Sequence, residues 1–562
     1  ALDWLVIGVF FLALIGIIVW VVRQKQNDSA DYFLGGRDAT WLAIGASIFA
    51  SNIGSEHLIG LAGAGASSGM AMAHWEIQGW MILILGWVFV PFYSRSMVYT
   101  MPEFLERRYN PQSRTILSVI SLVSYVLTKV AVTVYAGGLV FQQVFGIKEL
   151  WGIDFFWIAA IGLVVLTALY TIFGGMKSVL YTSVLQTPIL LLGSLIILVL
   201  GFKELGGWDE MMRVCGAVTV NDYGDTMTNL IRSNDDANFP WLGALIGSAI
   251  IGFWYWCTDQ FIVQRVLSGK NEKEARRGTI FGAYLKLLPV FLFLIPGMIA
   301  FALHQKYIGA GGEGFLPMLA NGTANADAAF PTLVAKLLPA GVKGLVVCGI
   351  LAALMSSLAS LFNSSAMLFT IDFYKRFRPE TPEKKLVGIG QIATVVIVIL
   401  GILWIPIMRS VGDVLYTYLQ DVQSVLAPGI AAAFLLGICW KRTSAQGGMW
   451  GLIAGMVIGL TRLGAKVYYS NAGEVADSTF KYLFYDMNWL FFCGWMFLFC
   501  IIVVIVVSLA TEAPTAEKIQ GLVFGTATKE QKAATRASWD HWDIIHTAII
   551  LAITAAFYWY FW

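Results

Sequence analysis

The sequence predicts an all-α polytopic membrane protein in which two of the spanning helices, the second and the seventh, are broken. Three observations carry that prediction. Of 562 residues, 58% are hydrophobic and 13% charged, with a mean hydropathy of +0.72, outside the composition of a water-soluble domain. Apolar runs of about 20 residues, the length a helix needs to cross a bilayer core, recur along the chain between Gly, Pro and charge clusters. Two of the runs carry polar groups at their centres, which hydrocarbon does not solvate and which persist at membrane depth only where they line a cavity.

Fourteen runs are expected, at 2–22, 41–65, 70–93, 113–145, 152–174, 178–203, 240–264, 278–304, 334–372, 386–408, 413–438, 447–467, 484–510 and 540–562. The first is long enough to span and reads as a helix rather than a cleavable signal. The second contains ASIFASNIGSEHLIGLA (46–62), with Ser51, Asn52, Gly54, Ser55, Glu56 and His57 at its centre. The seventh contains IGFWYWCTDQ (251–260), where Gly252 and Asp259 flank Trp254, Tyr255 and Trp256. Interrupted helices five spans apart point to an inverted-repeat transporter with its site near the midplane. The expected division is 1–40 as an extra helix and loop, 41–239 and 240–438 as the two repeats, and 439–562 as peripheral helices. Lys and Arg concentrate in the loops after odd-numbered spans (Arg107, Arg108, Lys273, Arg276, Arg277, Lys375, Arg376, Lys384, Lys385), which places those loops in the cytoplasm and both termini outside. The long polar loops 204–239 and 305–333 then lie outside as solvated connections or partial lids. The linker 511–539 is cytoplasmic, and the closing FYWYFW forms an aromatic belt at the outer interface.

Composition also excludes. A net charge of +2 is too balanced for a nucleic-acid partner. The six cysteines have neither metal-ligand nor disulfide spacing, and no nucleophile elbow, P-loop, HExxH or dinucleotide fingerprint is present, so no enzyme is expected. The partners implied are the bilayer and small solutes, with no obligate protein partner.

Two constellations suggest chemistry. A break around Ala50–Ile53 frees backbone carbonyls, and AALMSSLASLFNSS (352–365) sets Ser356, Ser357 and Ser360 on an apolar helix, a set of hard oxygens fit for a small cation. The same small residues also suit close helix packing. Glu76, Lys129, Asp259, Lys286 and Asp421 are ionisable groups at or near membrane depth. A carboxylate, an ammonium, the imidazole of His57 and the amide of Gln420 match a neutral polyhydroxylated ligand, whose hydroxyls both donate and accept. Trp75, Tyr255, Trp256 and Tyr416 offer aromatic faces for its ring. Asp259 is also placed to cap a helix end, and Glu56 either faces the cavity or pairs with a neighbouring helix.

DYFLGGR (31–37), GASIFASNIGSEHLIGLAGAGASSG (45–69), YTMPEFLERRY (99–109), ALYTIFGGMKSVLYTSVLQT (168–187), WYWCTDQFIVQRVLSGKN (254–271), GAYLKLLP (282–289), PAGVKGLVVCGILAALMSSLASLFNSS (339–365) and YLQDVQSVLAPG (418–429) together resemble the sodium/solute symporter family, most closely its sodium/glucose cotransporter branch. The resemblance implies a LeuT-type 5+5 inverted-repeat fold with about 14 transmembrane helices. It implies sodium bound by the carbonyls of Ala50, Ile53 and Ala353 and the hydroxyls of Ser356 and Ser357. It implies sugar contacts from His57, Glu76, Lys286 and Gln420 with Asn52 nearby, Tyr255 as an inner gate beside Trp256, and Leu61, Trp75 and Tyr416 as an outer cover. The chain departs from the family where Tyr181-Thr182-Ser183 replaces a YTD motif whose aspartate helps form a second sodium site, with Ser51 and Ser356 as neighbours. Gly252 stands where relatives place a polar sugar-facing side chain, and Thr417 where some glucose carriers are acidic. The expectation is sodium-coupled symport of a glucose- or galactose-like monosaccharide across the plasma (inner) membrane, one sodium per sugar. The alternatives are a sodium symporter for another solute, such as myo-inositol, an amino acid or sialic acid, and a sugar sensor or sugar-gated sodium leak.

Overall fold

The computed structural model describes residues 2–54, 56–319, 321–411, 415–473 and 475–562, with side chains throughout except at 126–128, 131, 139, 143, 405–411, 415–421, 467, 470 and 471. The chain is helical nearly everywhere. In order, the main elements are α1 (Leu2–Arg23), α2 (Trp41–Asn52), α3 (Glu56–Leu61 continuing as Ala62–Ser67), α4 (Gly69–Ser96) and α5 (Pro111–Ser124, Tyr125–Val130 and Ala131–Phe145 end to end). They continue with α6 (Phe155–Leu205), α7 (Trp241–Thr258), α8 (Gln260–Leu267), α9 (Glu272–Gly309), α10 (Val342–Phe377), α11 (Glu383–Val411), α12 (Leu415–Cys439), α13 (Ala445–Asn471), α14 (Trp489–Ala510) and α15 (His541–Tyr560). Among the described residues, each predicted run overlaps helix. Among the described residues, 11 helices are long and apolar enough to cross a membrane. The other runs lie on helices that are short, interrupted or fused: α2 and α3 are two pieces of one run, and α6 holds two runs.

Local chemistry sets these boundaries. Asn110 and Asn271 begin α5 and α9 by accepting hydrogen bonds from Ser113 N (2.8 Å) and Glu274 N (2.9 Å). Asp540 and Asp543 form a reciprocal capping box at the start of α15. Within α6 the chain turns at Gly175 (φ 58°, ψ −148°), where any Cβ would strike the Tyr32 carbonyl. Both expected breaks are present, each built on one extended residue. After Asn52 the backbone extends at Ile53 (φ −77°, ψ 114°) before α3 resumes with a π turn. After the π-helical Phe253–Thr258 it extends at Asp259 (φ −78°, ψ 130°) before α8. A third interruption, not predicted, loosens α4 at Ile77 and Gln78 between the helical turns Ala73–Glu76 and Gly79–Ile84.

The breaks are held inside a packed frame. α6 packs most extensively on α10, and α2 lies along α9. α3 approaches α9 so closely that a Cβ at Gly65 would overlap the Leu294 carbonyl and one at Gly297 the Ala62 carbonyl. Gly297→Ala is accordingly expected to lower the thermal melting temperature of the detergent-solubilised protein, the overpacking costing about 1–3 kcal/mol. Gly8→Ala, with nothing within 4 Å of its added methyl, serves as the neutral control.

The loop 204–239, expected outside, is more than a solvated connection. Leu230 N donates to Phe561 O (2.8 Å), Asn229 Nδ2 to Trp562 O (3.3 Å) and Met70 N to Met227 O (2.8 Å), so the loop is pinned between α4 and the end of α15. The loop after α5 is a small hairpin of β1 (Glu149–Leu150) and β2 (Ile153–Asp154). Trp559, Tyr560 and Trp562 are exposed.

Candidate functional site

The loosened turn of α4 sets Glu76 in a buried position. Its Oε2 accepts from Lys286 Nζ (2.6 Å) on α9 and from His57 Nε2 (3.1 Å) on α3. All three side chains are buried. A carboxylate in low dielectric is sustained by such partners, and here they come from the helices on either side of it. Lys286 Nζ also lies 5.2 Å from the centre of the Trp256 ring, a cation–π contact. Tyr255 meets Trp256 edge-to-face at 4.9 Å, so the π-helical end of α7 presents two perpendicular aromatic surfaces beside the ionic cluster. Among the described residues, the buried His57 Nδ1 and Asn52 Nδ2 have no hydrogen-bond partner.

A second ionic cluster lies at the break in the seventh run. Lys129 Nζ donates to Asp259 Oδ2 (2.9 Å), and Tyr125 Oη donates to Asp259 Oδ1 while accepting from Phe261 N (3.2 Å). The ammonium sits 5.0–5.3 Å from the rings of Tyr125, Trp254, Tyr255 and Phe261. Asp259 therefore ties α5 to the break and makes no side-chain cap on α8, the simpler role the sequence offered it. Glu56 lines a small pocket beside this second cluster with Asn52, Gly54, Lys129, Tyr255 and Ser357. Glu56 thus lines a cavity that also holds Lys129 of the neighbouring α5, so neither orientation open for it is excluded.

The oxygen-rich set is also assembled. Ser51 Oγ lies 2.5 Å from Ser360 Oγ, which donates to Ser356 O (2.8 Å), and a Cβ on Gly54 would lie 3.2 Å from Ser357 Oγ. These contacts bring the end of α2, carrying Ala50 and Ile53, against the turn of α10 that carries Ala353, Ser356 and Ser357. Tyr170 Oη donates to Met355 O (3.0 Å), steadying that turn, and Ser183 Oγ stands 3.5 Å from Ser356 Oγ. The oxygens here are neutral hydroxyls and carbonyls, and among the described residues no group of three His, Cys, Asp or Glu could hold a metal ion. Such a set suits a hard, weakly bound monovalent cation.

Of the expected outer cover, Leu61 is buried, and Trp75 stacks on Trp489 of α14 (5.5 Å, 22°) with Phe239 of the loop 204–239 at its edge. Tyr416, Thr417, Gln420 and Asp421 have side chains outside the described residues. Sequence reasoning missed Gln78, whose Nε2 donates to Ser248 O (2.8 Å) and whose Oε1 accepts from Trp256 Nε1 (3.2 Å). The available signal was its place between Glu76 and Gly79, at a loss of helical regularity that no Pro announces.

Helices broken near the middle of a membrane bundle, with buried polar clusters gathered around the breaks, define a solute transporter. The fold matches that of a solved Na+-coupled sialic acid symporter in a substrate-bound outward-open state, with a TM-score of 0.73 at 22% identity over 92% of this chain and 99% of that one. This is the LeuT-type architecture. The sodium:solute symporter family model matches residues 32–455, and the chain belongs to that family. It is 36% identical over 538 residues to human sodium/myo-inositol cotransporter 2, covering 93% of this chain and 79% of that protein. It is 37% identical over 547 residues to the dog sodium/myo-inositol cotransporter, covering 93% and 75%. The protein is a sodium-coupled solute symporter of the membrane, and sodium is its co-transported ion.

Proposed function

We propose that this symporter carries a neutral six-membered cyclic polyol, myo-inositol before glucose or galactose, inward across the plasma membrane. The observation that carries this reading is the cluster of His57, Glu76 and Lys286 against the perpendicular rings of Tyr255 and Trp256. It pairs a donor-and-acceptor surface with an aromatic one, which fits a ring bearing hydroxyls on its rim and C–H bonds on its face. The names of the relatives favour inositol within that class, so the glucose-like expectation gives way to it as the leading substrate.

In this reading Asn52, His57, Glu76, Tyr255, Trp256, Lys286 and Gln420 contact the polyol, Tyr255 also closes it from inside, and Leu61, Trp75 and Tyr416 close it from outside. Sodium binds the carbonyls of Ala50, Ile53 and Ala353 and the hydroxyls of Ser356 and Ser357. It holds the broken second run against α10, and coupling is its higher affinity for the conformation that accepts substrate from outside. Segments 41–239 and 240–438 move as inverted halves, with both termini outside. Ser183 supplies no anion for a second ion, so one sodium accompanies each polyol. One charge crossing about 100 mV contributes about 2.3 kcal/mol and a tenfold sodium gradient about 1.4 kcal/mol, together enough for accumulation of a few hundredfold.

The test is sodium-driven uptake of labelled myo-inositol into proteoliposomes, with glucose, galactose and mannose as competitors, and reversal potentials measured alongside. Inositol accumulation with a one-to-one reversal slope is expected. Accumulation of a hexose in preference to inositol would move the substrate, a two-to-one slope would overturn the single-sodium reading, and polyol-evoked current without accumulation would overturn symport of this solute.

A further inference from the structure

Gln78 lies on none of the predicted contacts, yet the geometry around it is closed and specific. Glu76 and Gln78 flank Ile77 in the interruption of α4, and their side chains take hold of two groups that face each other. Glu76 Oε2 accepts from Lys286 Nζ at 2.6 Å, that ammonium rests 5.2 Å from the centre of the Trp256 ring, and the Trp256 Nε1–H donates to Gln78 Oε1 at 3.2 Å. The loop from Glu76 through Lys286 and Trp256 back to Gln78 is continuous and buried.

The other end of the Gln78 amide is anchored to backbone, Nε2 donating to Ser248 O at 2.8 Å on α7, two turns before Trp256. That carbonyl is within reach because residue 252, one turn further along, is glycine. A Cβ there would come within 2.8–3.0 Å of Gln78 Oε1, Nε2 and Cδ. The amide thus fills the space that a side chain at 252 would take. An indole N–H buried without an acceptor is costly, and an amide held at both ends fixes the rotation of the ring it receives.

Resting on the polyol reading of the site, we propose that Gln78 is a positioning residue for it: its carboxamide, seated over Gly252 and fixed to Ser248 O, sets the plane of the Trp256 indole against Lys286. The surface offered to the substrate ring, and with it the preference among polyols, then depends on a residue that need not touch the substrate. The sodium-binding oxygens of α2 and α10 are not part of this loop.

The experiment is a double-mutant cycle in proteoliposomes, reading half-saturation for labelled myo-inositol, competition by glucose, and half-saturation for sodium at saturating inositol. Gln78→Leu, similar in size and without polar atoms, is expected to raise the inositol half-saturation about tenfold through two lost hydrogen bonds. It should change the inositol-to-glucose preference and leave sodium half-saturation unchanged. Trp256→Phe, which keeps a ring and loses only the N–H donor, should move the same quantities, and the double variant should be no worse than the more severe single one. If Gln78→Leu does not reach the membrane intact, Gly252→Ala, which displaces the amide while retaining it, takes its place in the cycle. Effects that multiply in the double variant, or an unchanged inositol half-saturation in Gln78→Leu, would overturn the assignment. Trp256→Ala separates the two levels. If it leaves inositol half-saturation unchanged, the polyol reading falls. If it raises the value while Gln78→Leu does not, only the role of Gln78 falls.

Discussion

Lys286→Ala is expected to reduce sodium-driven polyol uptake at least a hundredfold at equal amounts of protein in the membrane. The ammonium is 3% exposed and donates to a carboxylate that is itself buried, at 2.6 Å. Removing one partner of a buried pair costs about 3–5 kcal/mol, which corresponds to a factor of about 10²–10⁴. His57 remains at 3.1 Å as the other partner of Glu76, so the bundle should still assemble while the surface facing the polyol is lost. The measurement is labelled-inositol uptake with the melting temperature recorded beside it. A folded Lys286→Ala protein with unchanged half-saturation for inositol would show that the cluster lies outside the substrate path.

Ser357→Ala should raise the sodium concentration needed for half-maximal uptake about tenfold, with inositol half-saturation at saturating sodium little changed. Ser357 lies opposite Gly54 at the first break, its Oγ 3.2 Å from where a Cβ on Gly54 would stand, and it lines the small pocket there from α10. A hydrogen bond or ligand contact of ordinary strength, about 1–1.5 kcal/mol, converts to that tenfold change. Ser183→Ala is the contrast. Its hydroxyl already donates to Val179 O (2.6 Å) within its own helix and stands 3.5 Å from Ser356 Oγ, so sodium dependence should be unaffected. Sodium activation curves in proteoliposomes measure both. An unchanged curve for Ser357→Ala would remove the proposed ion site from this contact.

Where sequence and tertiary structure each had the decisive say follows from the range of the forces involved. Apolar run length located the helices because every backbone group in lipid must be satisfied within its own segment, a local requirement that composition reports directly. Polar residues inside such runs located both breaks for the same reason, and Asn52–Gly54 and Asp259 are where the helices stop. That Gly65 and Gly297 meet across α3 and α9 was not legible in the sequence, because the contact is between distant segments.

Partnership among the buried charges was decided by the tertiary structure alone. Asp259 reaches Lys129 across 130 residues of chain, Lys286 reaches Glu76 across 210, and Trp256 reaches Gln78 across 178. No period of 3.6 residues encodes such pairings, and each candidate charge had several partners of suitable sign. The place of Glu56 at the pocket and the loosening of α4 at Gln78 belong to the same class. From the sequence alone came the membrane class, the broken helices and the residue types a polyol and a small cation require. Which of those residues face one another, and the hold of Gln78 on Trp256 above Gly252, arise only when the helices pack. A buried charge takes its partner by distance in space, and distance in space is what folding creates.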